Sequence, residues 1–346
     1  MSHWKTEYLS RIKGGRSFSN INIRLPKTAV IVSRWGKHYN DRRNWQQYNE
    51  ELVIRGRMIF DLDFRDQWES ELKTMNMGKR GSPYLFPESF MMFMMIWHQY
   101  LDYRGLEGMA RSLVDLGIIP YYGDYTTVWN RIHDIKPVLN ISGMEYAEIG
   151  TDGTGMKTNN AGSYRITKYG DPDAKRRKHL VVIITADVKT KRIIGIESHV
   201  EGTGPSEPET AQKHLREAVM KGIDVREFYG DGAFDTNDLF TLVHSIGASL
   251  IIKIRKNAST DHHRGSKYRR KAIREYRKKG YKQWSEENNY GMRWPGTEGI
   301  FSAVKRKFGE NCVSRSVKGL QAEGYQRIWV YNYINQRGKM EVKNIN

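Results

Sequence analysis

Cysteine is almost absent from this 346-residue chain: Cys312 stands alone. That excludes an intrachain disulfide and any cysteine-based zinc site, and fits a reducing compartment. Long apolar runs are missing too. The greasiest, residues 90–97 (FMMFMMIW), is far shorter than the roughly 20 residues of a membrane-spanning helix and predicts a buried helix. The polar opening MSHWKTEYLSRIKGG lacks the apolar segment of a signal peptide. No G-x-x-x-x-G-K-[ST] loop is present to cradle a nucleoside triphosphate. Acidic residues are outnumbered, 39 Asp and Glu against 57 Lys and Arg, a net charge of +18. The excess favours a polyanionic partner, because each Lys or Arg set on a phosphate releases condensed counterions.

Along the chain, residues 1–80 are polar, aromatic and basic with weak periodicity, and predict an irregular or loosely helical basic arm. Residues 81–145 read as a helical region. Leu106, Met109, Ala110 and Leu113 recur at helical spacing, Gly117 and Pro120 end that helix, and Asp124 or Thr126 can cap a second. A helix-turn-helix would present Asn130 and Arg131 of this second helix to a major groove; an ordinary helical hairpin packed on a core fits the pattern equally well.

From Tyr146 the period becomes strand-like. YAEIGTDGTGM predicts one strand, and KHLVVIITADVKTKRIIGIESHV two more joined by a turn at Val188–Lys191. Ser206 and Glu209 form a capping box that opens a helix. DVREFYGDGAF is a fourth strand, followed by a helix from Thr236 and the strand ASLIIKI. Residues 146–335 are thus an α/β domain, a mixed sheet flanked by helices, with a basic insertion over 253–285 and a C-terminal tail over 336–346. Between Lys253 and Lys282 lie 13 Lys or Arg, including Arg269, Arg270 and Lys271, a block that predicts a solvated segment able to contact nucleic acid. Arg176 and Arg177, in a loop, form a smaller basic run.

Three acids stand out: Asp152 within TDGT, Asp231 within GDGAFDT, and Glu298 at the head of EGIFSAVKRKF. Asp152 falls on the first strand, Asp231 at the end of the fourth, and Glu298 on a late helix capped by Thr297. Three carboxylates converging in a basic protein suggest two divalent ions facing a phosphodiester. Asp187 reads as structural, Asp235 as a helix cap, and Glu286 and Glu287 as weaker rivals for the third acid. The adjacent pair His262–His263 is poorly spaced for a metal, and Trp294 could stack on a base or simply pack.

The strand order and acid placement resemble a ribonuclease-H-like core. Tyr290, Arg293, Glu298 and Lys305 resemble the Tyr-x2-Arg-x3-Glu-x6-Lys signature of DDE transposases of prokaryotic insertion sequences, although four residues rather than three separate Arg293 from Glu298. FSAVKRKFGE, GDGAFDT and TDGT match the corresponding segments. The resemblance implies that Asp152, Asp231 and Glu298 hold two Mg²⁺ or Mn²⁺ ions and carry the catalysis. Tyr290, Arg293, Lys305, Arg306 and Lys307 would contact DNA. The partners implied are double-stranded DNA, as terminal inverted repeats and target, and a second copy of the chain in a synaptic dimer. No membrane and no nucleotide cofactor is expected, and the place of action would be the cytoplasm, at the nucleoid. A ribonuclease-H-like nuclease and a transposase-derived DNA-binding regulator without catalysis are the alternatives.

Overall fold

A computed structural model describes residues 31–32, 38–39, 44–158, 179–261 and 265–345. Arg176, Arg177, His262 and His263 lie outside the described residues, as does most of the first 43. Of that first segment, Ile31–Val32 pairs antiparallel with His38–Tyr39.

The arm expected to be irregular or loosely helical is helical in its second half: α1 spans Trp45–Ile59 and α2 Phe64–Asn76. The apolar signal in α2 is thin but correctly spaced, since Phe64, Trp68 and Leu72 recur every fourth residue and are buried. They meet the next helix, α3 (Glu88–His98), through aromatic contacts. Phe64 lies 5.2 Å from Phe90 and 5.0 Å from Phe93, and Trp68 lies 5.2 Å from Phe90. Phe90, Met91, Met94 and Met95 are buried as their stripe predicts. α4 (Tyr103–Asp115) and α5 (Tyr125–Asp134) complete this helical region. The Asp102 carboxylate accepts from Gly105 N (2.6 Å) and that of Asp124 from Thr127 N (2.8 Å), so each helix has a capped start. Gly117, at φ +66°, closes α4 with a left-handed residue.

The five strands are β1 (Tyr146–Met156), β2 (Leu180–Asp187), β3 (Ile193–Val200), β4 (Asp224–Gly230) and β5 (Ser249–Ile252). They lie in the order β3-β2-β1-β4-β5. β2 is antiparallel to both of its neighbours, whereas β1, β4 and β5 run parallel. This is the ribonuclease-H-like arrangement expected. α6 (Glu207–Met220) links β3 to β4, and α7 (Asn237–Ser245) links β4 to β5. The predicted capping box opens α6, with Ser206 N donating to the Glu209 carboxylate at 2.8 Å.

One irregularity sets the phase of the two central strands. Ala147 pairs with Val225, but the next pair is Glu148 with Glu227, so Arg226 is an extra residue bulged out of β4. From there the pairing proceeds in step to Gly150 and Tyr229.

The basic insertion is not a loose segment. Lys267–Glu287 is a helix, α8, broken at Gly280 (φ 72°). Ile273 and Trp284 bury one side of it, and that apolar anchoring orders a stretch whose charge alone argues for solvation. α9 spans Glu298–Phe308 and ends at Gly309, as predicted. The final helix, α10, runs Val317–Ile345, so the expected tail from 336 continues a helix that meets no proline. α10 packs on β3 and β2, and the Asn332 side chain accepts from Ile193 N at 3.0 Å. Among the described residues, no helix is long and apolar enough to cross a membrane.

Candidate active site

Asp152 lies inside β1 and Asp231 immediately after β4. Two residues beyond the Gly150–Tyr229 pair, each strand reaches its aspartate. The backbone is still extended at Asp231 (φ −85°, ψ −169°). The register therefore brings the two to the same level of neighbouring strands, about 4.8 Å apart in backbone. β4 stops here because the Asp231 side chain accepts from Ala233 N (2.7 Å) and caps the single turn Gly232–Phe234. β1 continues to Met156 paired only with β2, which leaves Asp152 at an open edge.

The start of α9 is delivered to the same strand by two glycines. A Cβ on Gly296 would stand 2.7 Å from Val188 Cα, and one on Gly150 would stand 3.1 Å from Thr297 Cγ2. Their absence lets the chain before Glu298 close on β1 at the residue two before Asp152, on the same face. Thr297 is fully buried and does not cap α9 through its side chain as expected. Its hydroxyl donates instead to the Arg293 carbonyl at 3.1 Å and lies against Asp152.

Burial dominates the electrostatics, and like charge adds to it. Burial pushes the Asp152 carboxyl above its usual range, and Asp231 adds to this, while Gly153 N–H, Arg293 and Thr297 oppose it. Burial raises Glu298 as well, with Asp152 and Asp231 adding and Arg293 opposing. Arg293 is only 8 % exposed and stands 3.8 Å from Glu298, an ion pair beyond hydrogen-bond reach. Its Nε is buried without an acceptor.

A fourth carboxylate, not anticipated from the sequence, belongs to this group. Glu207, first residue of α6, fills the space that Gly153 leaves open: a Cβ there would stand 3.0 Å from the Glu207 carboxyl carbon. Burial and then Asp152 and Asp231 raise its pKa. The signal available was the S-x-x-E motif itself, which drew attention to Glu209 and away from its neighbour.

All these donors are hard carboxylate oxygens, the chemistry of Mg²⁺ and Mn²⁺ sites. Their donor chemistry and mutual repulsion suit a divalent cation. As the side chains stand, no three His, Cys, Asp or Glu among the described residues group closely enough to hold one.

Other expected contacts fall in varied places. Tyr290 is buried, its hydroxyl donating to the Gly230 carbonyl at 3.1 Å, and Arg293 is buried too, so neither side chain is exposed as a DNA contact would be. The extra residue in the signature falls in one helical turn, Arg293–Gly296. Lys305 Nζ reaches the Gly155 carbonyl at 3.1 Å, farther along β1; Arg306 and Lys307 are exposed. Arg269 is not a free cation: it grips Asp235 through two hydrogen bonds of 2.6 and 3.0 Å. Asp235 is accordingly a buried ion-pair partner, and Thr236 caps α7 in its place. Arg270 bonds the Gly265 carbonyl (2.8 Å). Lys271 is exposed with Lys267, Arg274 and Lys278, a 4-3-4 spacing that puts all four on one face of α8. Asn130 is exposed, whereas Arg131 lies over the Tyr84 ring at 4.4 Å. Trp294 is 53 % exposed.

Two family models match this chain, both described as a transposase DDE domain, one over residues 53–161 and the other over 147–340. Among solved structures, the piggyBac transposase synaptic complex with hairpin DNA is similar at 10 % identity, covering 85 % of this chain and 76 % of that one, with a TM-score of 0.38. The Drosophila P element transposase strand transfer complex gives 9 % identity, 82 % and 86 % coverage, and a TM-score of 0.27. For the Mos1 strand transfer complex the values are 11 %, 77 %, 80 % and 0.22. Likeness at this level adds nothing to the assignment, which rests on the family models together with the sheet order. The chain belongs to the DDE transposases.

Proposed function

We propose that this protein is an insertion-sequence transposase that cuts DNA at the ends of its element and joins those ends to target DNA. The observation that carries the reading is the β1–β4 register, which levels Asp152 with Asp231 beside the seated start of α9. Asp152, Asp231 and Glu298 would hold Mg²⁺ or Mn²⁺, two ions in the complete site. Bound there, the cations would supply Lewis-acid stabilisation of the scissile phosphate and acidify the attacking oxygen.

Around them the chain's own groups have separate tasks. Arg293 restrains Glu298, Tyr290 fixes the end of β4, and Lys305, two turns along α9 from Glu298, is placed to hold a phosphate. In the first step a water oxygen attacks phosphorus and the bond to the 3′ oxygen breaks, leaving a 3′-hydroxyl. In the second, that hydroxyl attacks a target phosphodiester, exchanging one P–O bond for another without a nucleotide cofactor. The charge of +18 and the exposed basic face of α8 supply the phosphate contacts. Two element ends must be held together, which calls for a dimer on DNA, acting at the nucleoid in the cytoplasm.

The test is cleavage of a labelled duplex carrying the element's end, with Mg²⁺ or EDTA, by the wild type and Glu298→Gln. Metal-dependent 3′-hydroxyl ends that join a target plasmid, lost in the variant, are expected. Cutting without joining would make the protein a nuclease; binding without cutting would make it a regulator.

A further inference from the structure

We infer that a cavity of about 410 Å³ among α3, α4, α5 and the loop before α10 binds one unpaired nucleotide of a DNA strand. It shares no residue with the carboxylate site, and its volume suits a ligand of that size. One part of its lining is a row of rings. His98, the last residue of α3, stacks on Tyr103 with centroids 4.1 Å apart. Tyr103 lies 5.9 Å from His133, and His133 lies 4.4 Å from Trp129. Trp129, on α5, is 41 % exposed, so the row ends in a solvent-facing indole. Aromatic side chains of this kind stack with any base, because every base has a π-face.

The rest of the lining is polar and cationic. Glu323 accepts from Val313 N and Ser314 N, each at 2.9 Å, and so holds the loop in place. Ser316 caps α10, its hydroxyl accepting from Gly319 N at 3.1 Å, and the start of a helix favours an anion. Arg315 is exposed and, among the described residues, makes no hydrogen bond or ion pair, whereas Asp134 and Glu323 are paired with Lys318 and Arg327. A separate observation points to a ligand. His133 is 5 % exposed, and its Nδ1 bonds the Trp129 carbonyl at 2.7 Å. A carbonyl only accepts, so Nδ1 carries the proton. Nε2 has no partner among the described residues and stands where a Cβ on Gly319 would be 2.9 Å away. His98 repeats the pattern, its Nδ1 on the Leu101 carbonyl at 3.1 Å. A buried polar atom without a partner is costly, and a donor arriving in the cavity removes that cost. Rings to stack on, ring nitrogens to accept from a base edge, and a cation beside a helix start for phosphate match the parts of a nucleotide. The faces and edges of a paired base are already taken, so the occupant is an unpaired one. DNA as its source follows from the charge of +18 and the transposase family.

The test compares binding of the full-length protein to a duplex carrying one unpaired thymidine and to the same duplex fully paired. The wild type should prefer the first by about tenfold. Trp129→Ala should remove the preference while leaving affinity for the paired duplex unchanged, Trp129→Phe should keep most of it, and Arg315→Ala should reduce it. With 5-iodouridine at the unpaired position, ultraviolet light should crosslink the DNA to Trp129 or Tyr103. No preference in the wild type, a preference that survives Trp129→Ala, or crosslinks only to other residues would overturn the inference. Equal weakening of both duplexes by Trp129→Ala would make α5 an ordinary duplex contact and overturn it as well. Thymidine 5′-monophosphate that competes as well as the unpaired duplex would assign the cavity to a free nucleotide and overturn the DNA source. None of these readouts involves cutting or a metal ion, so a protein that keeps the preference yet never cleaves would overturn the proposed function alone.

Discussion

The two ends of the central sheet treat carboxylates in opposite ways. At the end where β1 begins, Asp187 accepts from Glu148 N (3.1 Å), from Thr190 N (2.8 Å) and from the Thr190 hydroxyl, and Glu148 is paired with Lys189. Both of these acids have donors enough. Where β4 ends, Asp152 and Asp231 bear on both Glu298 and Glu207, and among the described residues Arg293 is the cation that moderates Asp152 and Glu298. Asp235, four residues past Asp231, follows the first pattern, with a side chain wholly buried and gripped by Arg269. A charge that serves only the fold is neutralised by the fold, whereas the carboxylates left in mutual repulsion mark a place where the partner must come from outside.

The comparison is broken most sharply by activity. Asp231→Asn and Glu298→Gln should each lower strand cleavage by on the order of 10³-fold, equivalent to ~4 kcal/mol of transition-state stabilisation. Lys189→Ala at the other end should leave cleavage unchanged in the same assay. Next in size is Arg269→Ala, which strands the buried Asp235 and should cost about 3–5 kcal/mol in denaturant unfolding. The third effect is a pH dependence. Burial depresses the His214 pKa from 6.5 to about 4, so the unfolded chain takes up its proton first as pH falls. Stability should therefore be full above pH 6.5 and decline by about 3 kcal/mol as pH approaches 4, a decline that melts at pH 7 and 4.5 would reveal and that His214→Gln would flatten. The smallest effect has the opposite sign. The Asp152 carboxyl is raised in the folded state, so its ionised form opposes folding once pH exceeds the ordinary aspartate range. Asp152→Asn should raise the cation-free melting temperature by about 2–4 °C at pH 7, whereas Asp187→Asn should lower it.

What could be read from the sequence follows the range of the interactions involved. β1 to β5, the Ser206–Glu209 box and the Gly117 and Gly309 helix ends depend on neighbours a few residues away, and each lies where its local pattern puts it. α1 and α2 were diluted by polar residues, and the apolar positions of α2 gain meaning only against Phe90 and Phe93. The insertion read as solvated because charge is visible in a sequence, whereas the burial of Ile273 and Trp284 is not. The Arg269–Asp235 pair spans 34 positions and leaves no local trace, so Arg269 passed for a DNA contact and Asp235 for a helix cap. Tyr290 and Arg293 were found through their spacing. Their burial follows from contacts far along the chain, such as that of the Tyr290 hydroxyl with the Gly230 carbonyl.

The bulge at Arg226 bears on all of this. Before it, residues of β1 pair with residues 78 positions later; after it, the offset is 79, the interval between Asp152 and Asp231. Without the extra residue Asp152 would stand level with Gly230, and Asp231 would fall one step out of phase, facing the opposite side of the sheet. An exposed arginine at the far end of β4 thus acts as a timing mark, a single beat inserted early so that two chains arrive together. Its deletion should silence the site while leaving every one of its residues in the protein.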